Sequence, residues 1–204
     1  STSDIDYKVM ARGAPISVGA VTVPGAIVLD NTYGAASGPA ASGFITAANA
    51  ATYATTTTHG INLLGALGGA KGISIRGVTA GTNQQGVAAA GSLLAATGDI
   101  DVTGVSMTGT GGNGIIVNNS AALITATTGN ISFAGVVTVS NTGINLSSGA
   151  VSAPLGSITL NASASSTANY GLYTSGTATL SAKYNVTLTG STSGNYGISL
   201  NAGV

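Results

Sequence analysis

Asp99 and Asp101 stand one residue apart, with Lys71 and Arg76 about one repeat earlier in this 204-residue chain. Paired carboxylates can offer oxygens to calcium. Beside a basic group they can also serve the acid–base steps of polysaccharide cleavage. Calcium takes about six to eight oxygens, and the neighbouring coils supply no further carboxylate, so an ordinary solvated turn is the expected role of this pair. A surface ion pair is the expected role of Lys71, Arg76 and Asp101. Asp4 and Asp6 repeat the spacing at a terminus, where disorder is the expectation. His59, the single histidine, has no acid or nucleophile partner in view and reads as a turn residue.

Other patterns point to surfaces. Thr55 to Thr58 and the Thr-x-Thr pairs Thr177/Thr179 and Thr187/Thr189 resemble ice-binding arrays, but only one coil carries the pair at the required column. Ordinary β-propensity accounts for them. Asn118, Asn130, Asn145, Asn161 and Asn185 each begin an Asn-x-Ser/Thr triplet, which glycosylation uses and which a chain rich in these residues also produces by composition. Thr108 to Gly114 is glycine-rich but lacks the Lys-Ser/Thr ending of a phosphate loop. Tyr170, Tyr173, Tyr184 and Tyr196 gather in the last coils, where they either contact a sugar or a neighbouring subunit or cover the core. No residue is assigned a catalytic, cofactor-binding or metal-ligating role, no cofactor is expected, and the chain is read as a non-enzyme.

Composition agrees with so thin an inventory. Charged residues make up 5% of the chain: five Lys or Arg and five Asp, with no Glu. About 25% is usual. Zero net charge provides no cationic face for nucleic acid or an anionic membrane. Without cysteine there is no disulfide framework, thiol catalysis or Cys-ligated zinc. At 44% apolar residues and a mean hydropathy of +0.44, the chain must bury surface rather than stay disordered. The longest nearly apolar run, Val87 to Ala96, is half the length of a spanning helix, about 20 residues. No secretory-signal pattern or initial Met is present, as expected of a processed or excised segment.

The elements that position these residues are strands. Gly, Ser, Thr and Asn rank low in helix propensity. Short runs such as Ile73-Ser74-Ile75 and Ile158-Thr159-Leu160 alternate apolar and polar residues between Gly or Asn. The runs also repeat. Gly60-Ile61, Gly86-Val87, Gly114-Ile115, Gly143-Ile144, Gly171-Leu172 and Gly197-Ile198 follow at intervals of 26, 28, 29, 28 and 26 residues. Ile73, Ile100, Ile131, Ile158 and Val186 open a second unit at intervals of 27, 31, 27 and 28. A weaker third unit carries Leu67, Leu93, Ile124, Val151 and Leu180. Two markers with one period predict an all-β fold: a parallel β-helix, or solenoid, of about 28 residues and three strands of four to five residues per coil.

Each marker then defines a column of residues stacked coil on coil. Ile73 to Val186 form one interior ladder. Ile75, Val102, Phe133, Leu160 and Leu188 form the next, and Ile61 to Ile198 a third with Leu63, Ala89, Val117, Leu146, Thr174 and Leu200 beside it. Ser74, Asp101, Ser132, Thr159 and Thr187 point outward, as do Arg76, Thr103, Ala134, Asn161 and Thr189. Gly77, Gly104, Gly135 and Gly190 are expected at corners, for positive φ or close backbone approach. Stacked like charges repel, whereas Ser, Thr and Asn hydrogen-bond along a stack, so the low charge follows from the architecture.

Two regions follow. Residues 60–204 are regular coils, expected to continue or stack beyond residue 204, since Gly197 opens a coil that stops. Residues 1–59 are expected to form irregular coils, a cap or a junction, with strands at Val21–Val23 and Ile27–Leu29, another at Phe44–Thr46, and a loop over 34–42.

The segments GDIDVTG at 98–104, GNISFAG at 129–135, GSITLNA at 156–162 and YNVTLTG at 184–190, with GINL at 143–146 and GISL at 197–200, resemble the repeat regions of filamentous-haemagglutinin-type bacterial exoproteins. The resemblance spans roughly 145 residues, from about Gly60 to Val204. It implies a right-handed parallel β-helix, two-partner secretion to the cell surface, and service as a filament, adhesin or stalk. The function expected is therefore a non-enzymatic extracellular structural protein, with a carbohydrate-binding or carbohydrate-cleaving β-helix as the alternative. Expected partners are its own kind, end to end through exposed coil edges, and a host or cell-surface glycan or protein. Neither nucleic acid nor direct membrane insertion is expected.

Overall fold

The structure, a computed structural model, describes residues 4–32, 57–107, 111–139, 141–165 and 170–201. Twenty strands and no helix occur among them. They form three parallel sheets, and the chain visits the sheets in rotation. The first sheet stacks β1 (Tyr7–Met10), β4 (Ala26–Asp30), β7 (Gly72–Thr79), β10 (Ile100–Ser106), β13 (Ile131–Val137), β16 (Ile158–Ala164) and β19 (Val186–Thr192). The second stacks β2 (Ile16–Val18), β5 (Ile61–Leu63), β8 (Val87–Ala89), β11 (Ile115–Val117), β14 (Thr142–Leu146), β17 (Tyr170–Thr174) and β20 (Tyr196–Leu200). The third stacks β3 (Val21–Val23), β6 (Leu67–Gly69), β9 (Leu93–Ala95), β12 (Leu123–Ala126), β15 (Ala150–Ala153) and β18 (Thr179–Ala182). The fold is a parallel β-solenoid of about 28 residues per turn.

The registers match the expected columns residue for residue. Ile73, Ile100, Ile131, Ile158 and Val186 are successive partners, and so are Ile75, Val102, Phe133, Leu160 and Leu188. Ile61 through Ile198 align likewise in the second sheet. Alternation places these residues inside, where they form one continuous core. Phe133 is the bulkiest fully buried side chain. Stacking is what buries them. Val186, Ile198 and Leu200, in the last described coil, are 40%, 39% and 44% exposed, while Ile158, Leu172 and Leu146 in their respective columns are buried.

Two features differ from the sequence expectation. The first-sheet strands run seven or eight residues from β7 onward, longer than the four to five expected. Gly77, Gly104, Gly135 and Gly190 therefore sit inside strands, not at corners, and none has positive φ. Close approach is their reason. A Cβ on Gly77 would overlap the carbonyl oxygen of Gly86; on Gly104, that of Gly114; on Gly135, that of Gly143. The first and second sheets are pinched together along this seam; the first-sheet column reads Gly77, Gly104, Gly135, Ala162 and Gly190, so a methyl is the largest side chain it carries.

The ladders also run across position 60. β1 joins β4 and β4 joins β7, so strands before Gly60 belong to the same sheets. The expected strands at Val21–Val23 and Ile27–Leu29 are β3 and part of β4; β1 and β2 add two more. Tyr7 pairs with Ile27 after 20 residues, and Ile27 with Ile73 after 46. Those unequal spacings hide the period. The strand expected at Phe44–Thr46 and the loop at 34–42 lie outside the described residues.

Candidate functional site

Parallel stacking gathers the charges. Lys8, Val28, Ser74, Asp101 and Ser132 follow one another on the outer face of the first sheet, and Met10, Asp30, Arg76 and Thr103 form the adjacent column. Asp4, Asp6, Lys71 and Asp99 line the edge of this face. Its amino-terminal half therefore holds eight of the ten charged side chains, drawn from positions 4 to 101 of the chain. The sequence shows most of the charges lying early; only the register puts Asp30 beside Arg76.

Asp99 holds a corner. Its Oδ1 accepts hydrogen bonds from the backbone NH of Asn130 (2.7 Å) and from Asn130 Nδ2 (3.3 Å). Asn130 Oδ1 accepts from the backbone NH of Ser157 (3.0 Å), and Ser157 Oγ from that of Asn185 (3.4 Å). Asp6 Oδ1 does the same for Ala26 (2.9 Å). Asp6, Asp99, Asn130 and Ser157, each just before a first-sheet strand, thus pass a side-chain oxygen to the next coil, whereas Gly25 and Lys71 in the same place before β4 and β7 have none to pass. The recurrence of Asp, Asn or Ser at 99, 130, 157 and 185 was the available signal for this ladder. Asp6, expected in a disordered terminus, is placed by it. Its carboxyl is held below the ordinary value, first by the Ala26 NH and then by Lys8, 3.2 Å away. Lys71 pairs with Asp4 (2.5 Å), not with Asp101.

Asp101 faces a shallow groove of about 230 Å³ with Ser74, Arg76, Thr103 and Ser132. Desolvation against the sheet raises its pKa, the Asp99 charge raises it further, and Arg76 opposes both. Among the described residues no three His, Cys, Asp or Glu side chains gather as a metal site would require. With Asp99 committed to Asn130, one carboxylate, one guanidinium and several hydroxyls face the groove. That set suits hydrogen bonding to a polar ligand better than a two-carboxylate reaction.

A second polar column lies where the chain enters the second sheet: His59, Gln85, Asn113, Thr142, Tyr170 and Tyr196. His59 Nδ1 accepts from the Gln85 backbone NH (3.0 Å), and Gln85 Oε1 from the Asn113 NH (2.6 Å) and Nδ2 (2.9 Å). Burial lowers the His59 pKa, and the accepted hydrogen bond requires the neutral ring. His59, read from the sequence as a turn residue, lies just before Gly60 at the entry to β5 and joins its coil to the next through Gln85. Toward the carboxyl end the column becomes aromatic. The Tyr170 ring stacks on Tyr173 (centroids 4.7 Å apart) and on Tyr196 (6.0 Å), and Tyr196 is largely exposed. The exposed Tyr184 stands apart from this row, with Lys183 Nζ 5.8 Å from its ring centroid.

Of the glycosylation triplets, Asn118, Asn130, Asn161 and Asn185 are exposed, and Asn130 is spent in the corner ladder. No family model, no curated protein and no solved structure matches the chain.

Proposed function

We propose that this chain is a non-enzymatic structural rod: a β-solenoid segment of a secreted or cell-surface filament or adhesin of the filamentous haemagglutinin kind. The observation that carries the reading is the unbroken stack. Three parallel sheets share one aliphatic core, and small neutral side chains cover most of the outer surface. Such a body transmits load along its axis and has no need of a reaction centre. At the last described coil, Val186, Ile198 and Leu200 present an uncovered section of core, which a further coil or a second copy would bury. Antibody labelling of intact and permeabilised source cells tests the location, and electron microscopy of native material tests the filament. Label only after permeabilisation would count against a surface role; isolated globular particles would count against a rod.

A second reading, carbohydrate binding, is favoured by the stacked row of Tyr170, Tyr173 and Tyr196 on the second sheet. Planar aromatic rings suit the apolar faces of sugars. A glycan array with the parent and Tyr196→Ala chains tests it, and a reducing-sugar assay separates binding from cleavage.

A further inference from the structure

The structure sorts the five Asn-x-Ser/Thr triplets by the backbone each would have to give up. Asn161-Ala162-Ser163 lies wholly inside β16, which β13 and β19 hold on both sides. Asn145 and Leu146 end β14, between β11 and β17, and Asn145 Oδ1 is buried. Asn130 is spent in the corner ladder, and its triplet runs into β13. Asn185 is followed directly by β19, which takes Val186 and Thr187. Of the five, only Asn118-Asn119-Ser120 lies entirely outside the strands.

That triplet sits on an enlarged corner. Elsewhere the chain crosses from the second sheet to the third through 19–20, 64–66, 90–92, 147–149 or 175–178, two to four residues; after β11 it takes five, 118–122. Asn119 fixes the enlarged turn. Its Nδ2 donates to the Ala90 carbonyl one coil earlier (2.5 Å), and its Oδ1 accepts from the Ala121 NH (3.0 Å). Its own carbonyl accepts from the Ala122 NH (2.9 Å). Asn118 and Ser120, on either side of it, are exposed. The middle residue of the triplet thus anchors the turn, and the two residues that define the triplet stand at the surface.

We propose that Asn118 is the glycan acceptor of this chain. A glycosyltransferase must take the whole triplet into its site, which an exposed turn allows and a strand hydrogen-bonded on both sides does not. The step joins the Asn118 side-chain nitrogen to the anomeric carbon of an activated sugar phosphate. The bond from that carbon to the donor's phosphate breaks, its electron pair leaves on the phosphate, and one amide proton goes to a base. Ser120 supplies the hydroxyl by which the triplet is recognised. The glycan stands at the corner between the second and third sheets. Asn118 belongs to no ladder there, so the core and the stacked columns stay as they are. At Asn130 the same group would break the bonds to Asp99 and Ser157. The assignment rests on the Asn118 turn and is independent of filament assembly and of the Tyr170 row.

Peptide mapping by electron-transfer mass spectrometry of the chain purified from its source cells tests it. The peptide holding Asn118 should carry a glycan at that residue, and Asn130 and Asn145 should be bare. Asn118→Gln and Ser120→Ala, expressed in the same cells, should each lose the glycan with an unchanged circular dichroism spectrum, and Ser120→Thr should keep it. The part played by the fold is read with a purified oligosaccharyltransferase and a lipid-linked oligosaccharide donor. On the folded chain transfer to Asn118 should outrun transfer to the other four, whereas free peptides spanning the five triplets should react at similar rates. A native chain bare at Asn118 overturns the proposal. So does a glycan that survives Asn118→Gln, or one found on Asn161 or Asn185 with Asn118 bare. A free Asn118 peptide that leads the others by as much as the folded chain does would show that local sequence, not the turn, makes the choice, and overturns the structural argument.

Discussion

Truncating one column position in the middle and at the end of the stack measures what stacking contributes. Ile144 and Ile198 occupy the same column of the second sheet, separated only by Leu172. Ile144 is fully buried and Ile198 is 39% exposed. Ile→Ala removes three carbon groups, about 2.4 kcal/mol of transfer free energy at about 0.8 kcal/mol each. At Ile144 coils on both sides hold the space open. A residual cavity of about 50 Å³ adds about 1.2 kcal/mol, giving about 3.6 kcal/mol in all. At Ile198 about three fifths of the transfer term applies, and an open site leaves no cavity, so the cost is about 1.5 kcal/mol. Urea unfolding of the two variants and the parent, followed by circular dichroism at low micromolar concentration, gives both numbers. Equal costs at the two positions would refute the claim that coil-on-coil contact buries this column. A larger cost at Ile198 would mean that something else covers the last coil.

Four further outcomes follow from the same geometry. Gly104→Ala should destabilise by about 1–3 kcal/mol, since its Cβ meets the Gly114 carbonyl, whereas Gly19→Ala, with nothing within 4 Å, should change stability little in the same urea titration. Asp99→Ala should cost about 1 kcal/mol through the lost bond to Asn130, and Asp99→Asn, which keeps an acceptor oxygen, should restore most of it. Because His59 titrates below its ordinary 6.5 in the folded chain, the unfolded chain binds the proton more readily, so stability should fall as pH drops below about 6.5. Urea midpoints between pH 5 and 8 should show that slope, and His59→Gln should flatten it. Asp101 has the opposite sign: its folded pKa lies above 3.8, so its ionised form is disfavoured at neutral pH. Asp101→Asn should therefore stabilise at pH 7, with the gain vanishing as pH falls through the raised pKa toward 3.8.

Most of the fold was legible because a parallel in-register stack sets each residue on its counterpart one period away. Alternation then reports which residues face inward. Ile131 and Phe133 could be placed inside, and Ser132 outside, from spacing alone. Where the period breaks, legibility ends. The spacings of 20 and 46 residues around β4 concealed β1, and the 45 residues from Ile16 to Ile61 concealed β2, as members of the same sheets. The candidate site was harder to read. Asp99 and Asp101 look alike in sequence, yet one caps the next coil and the other faces a groove, a distinction made by the side each presents to the stack.

The sequence by itself determined the repeat, the columns along the axis and the scarcity of charge, because neighbours up and down the stack are neighbours in a fixed numerical register. Tertiary structure decided what lies across and around that axis. It set two columns of glycine, broken only by Ala162 among those from β7 onward, face to face at the seam and drew eight charges onto one face. It also left Leu94 exposed on another. Those relations depend on where each strand ends and how sharply the chain turns to the next sheet, and no period records either.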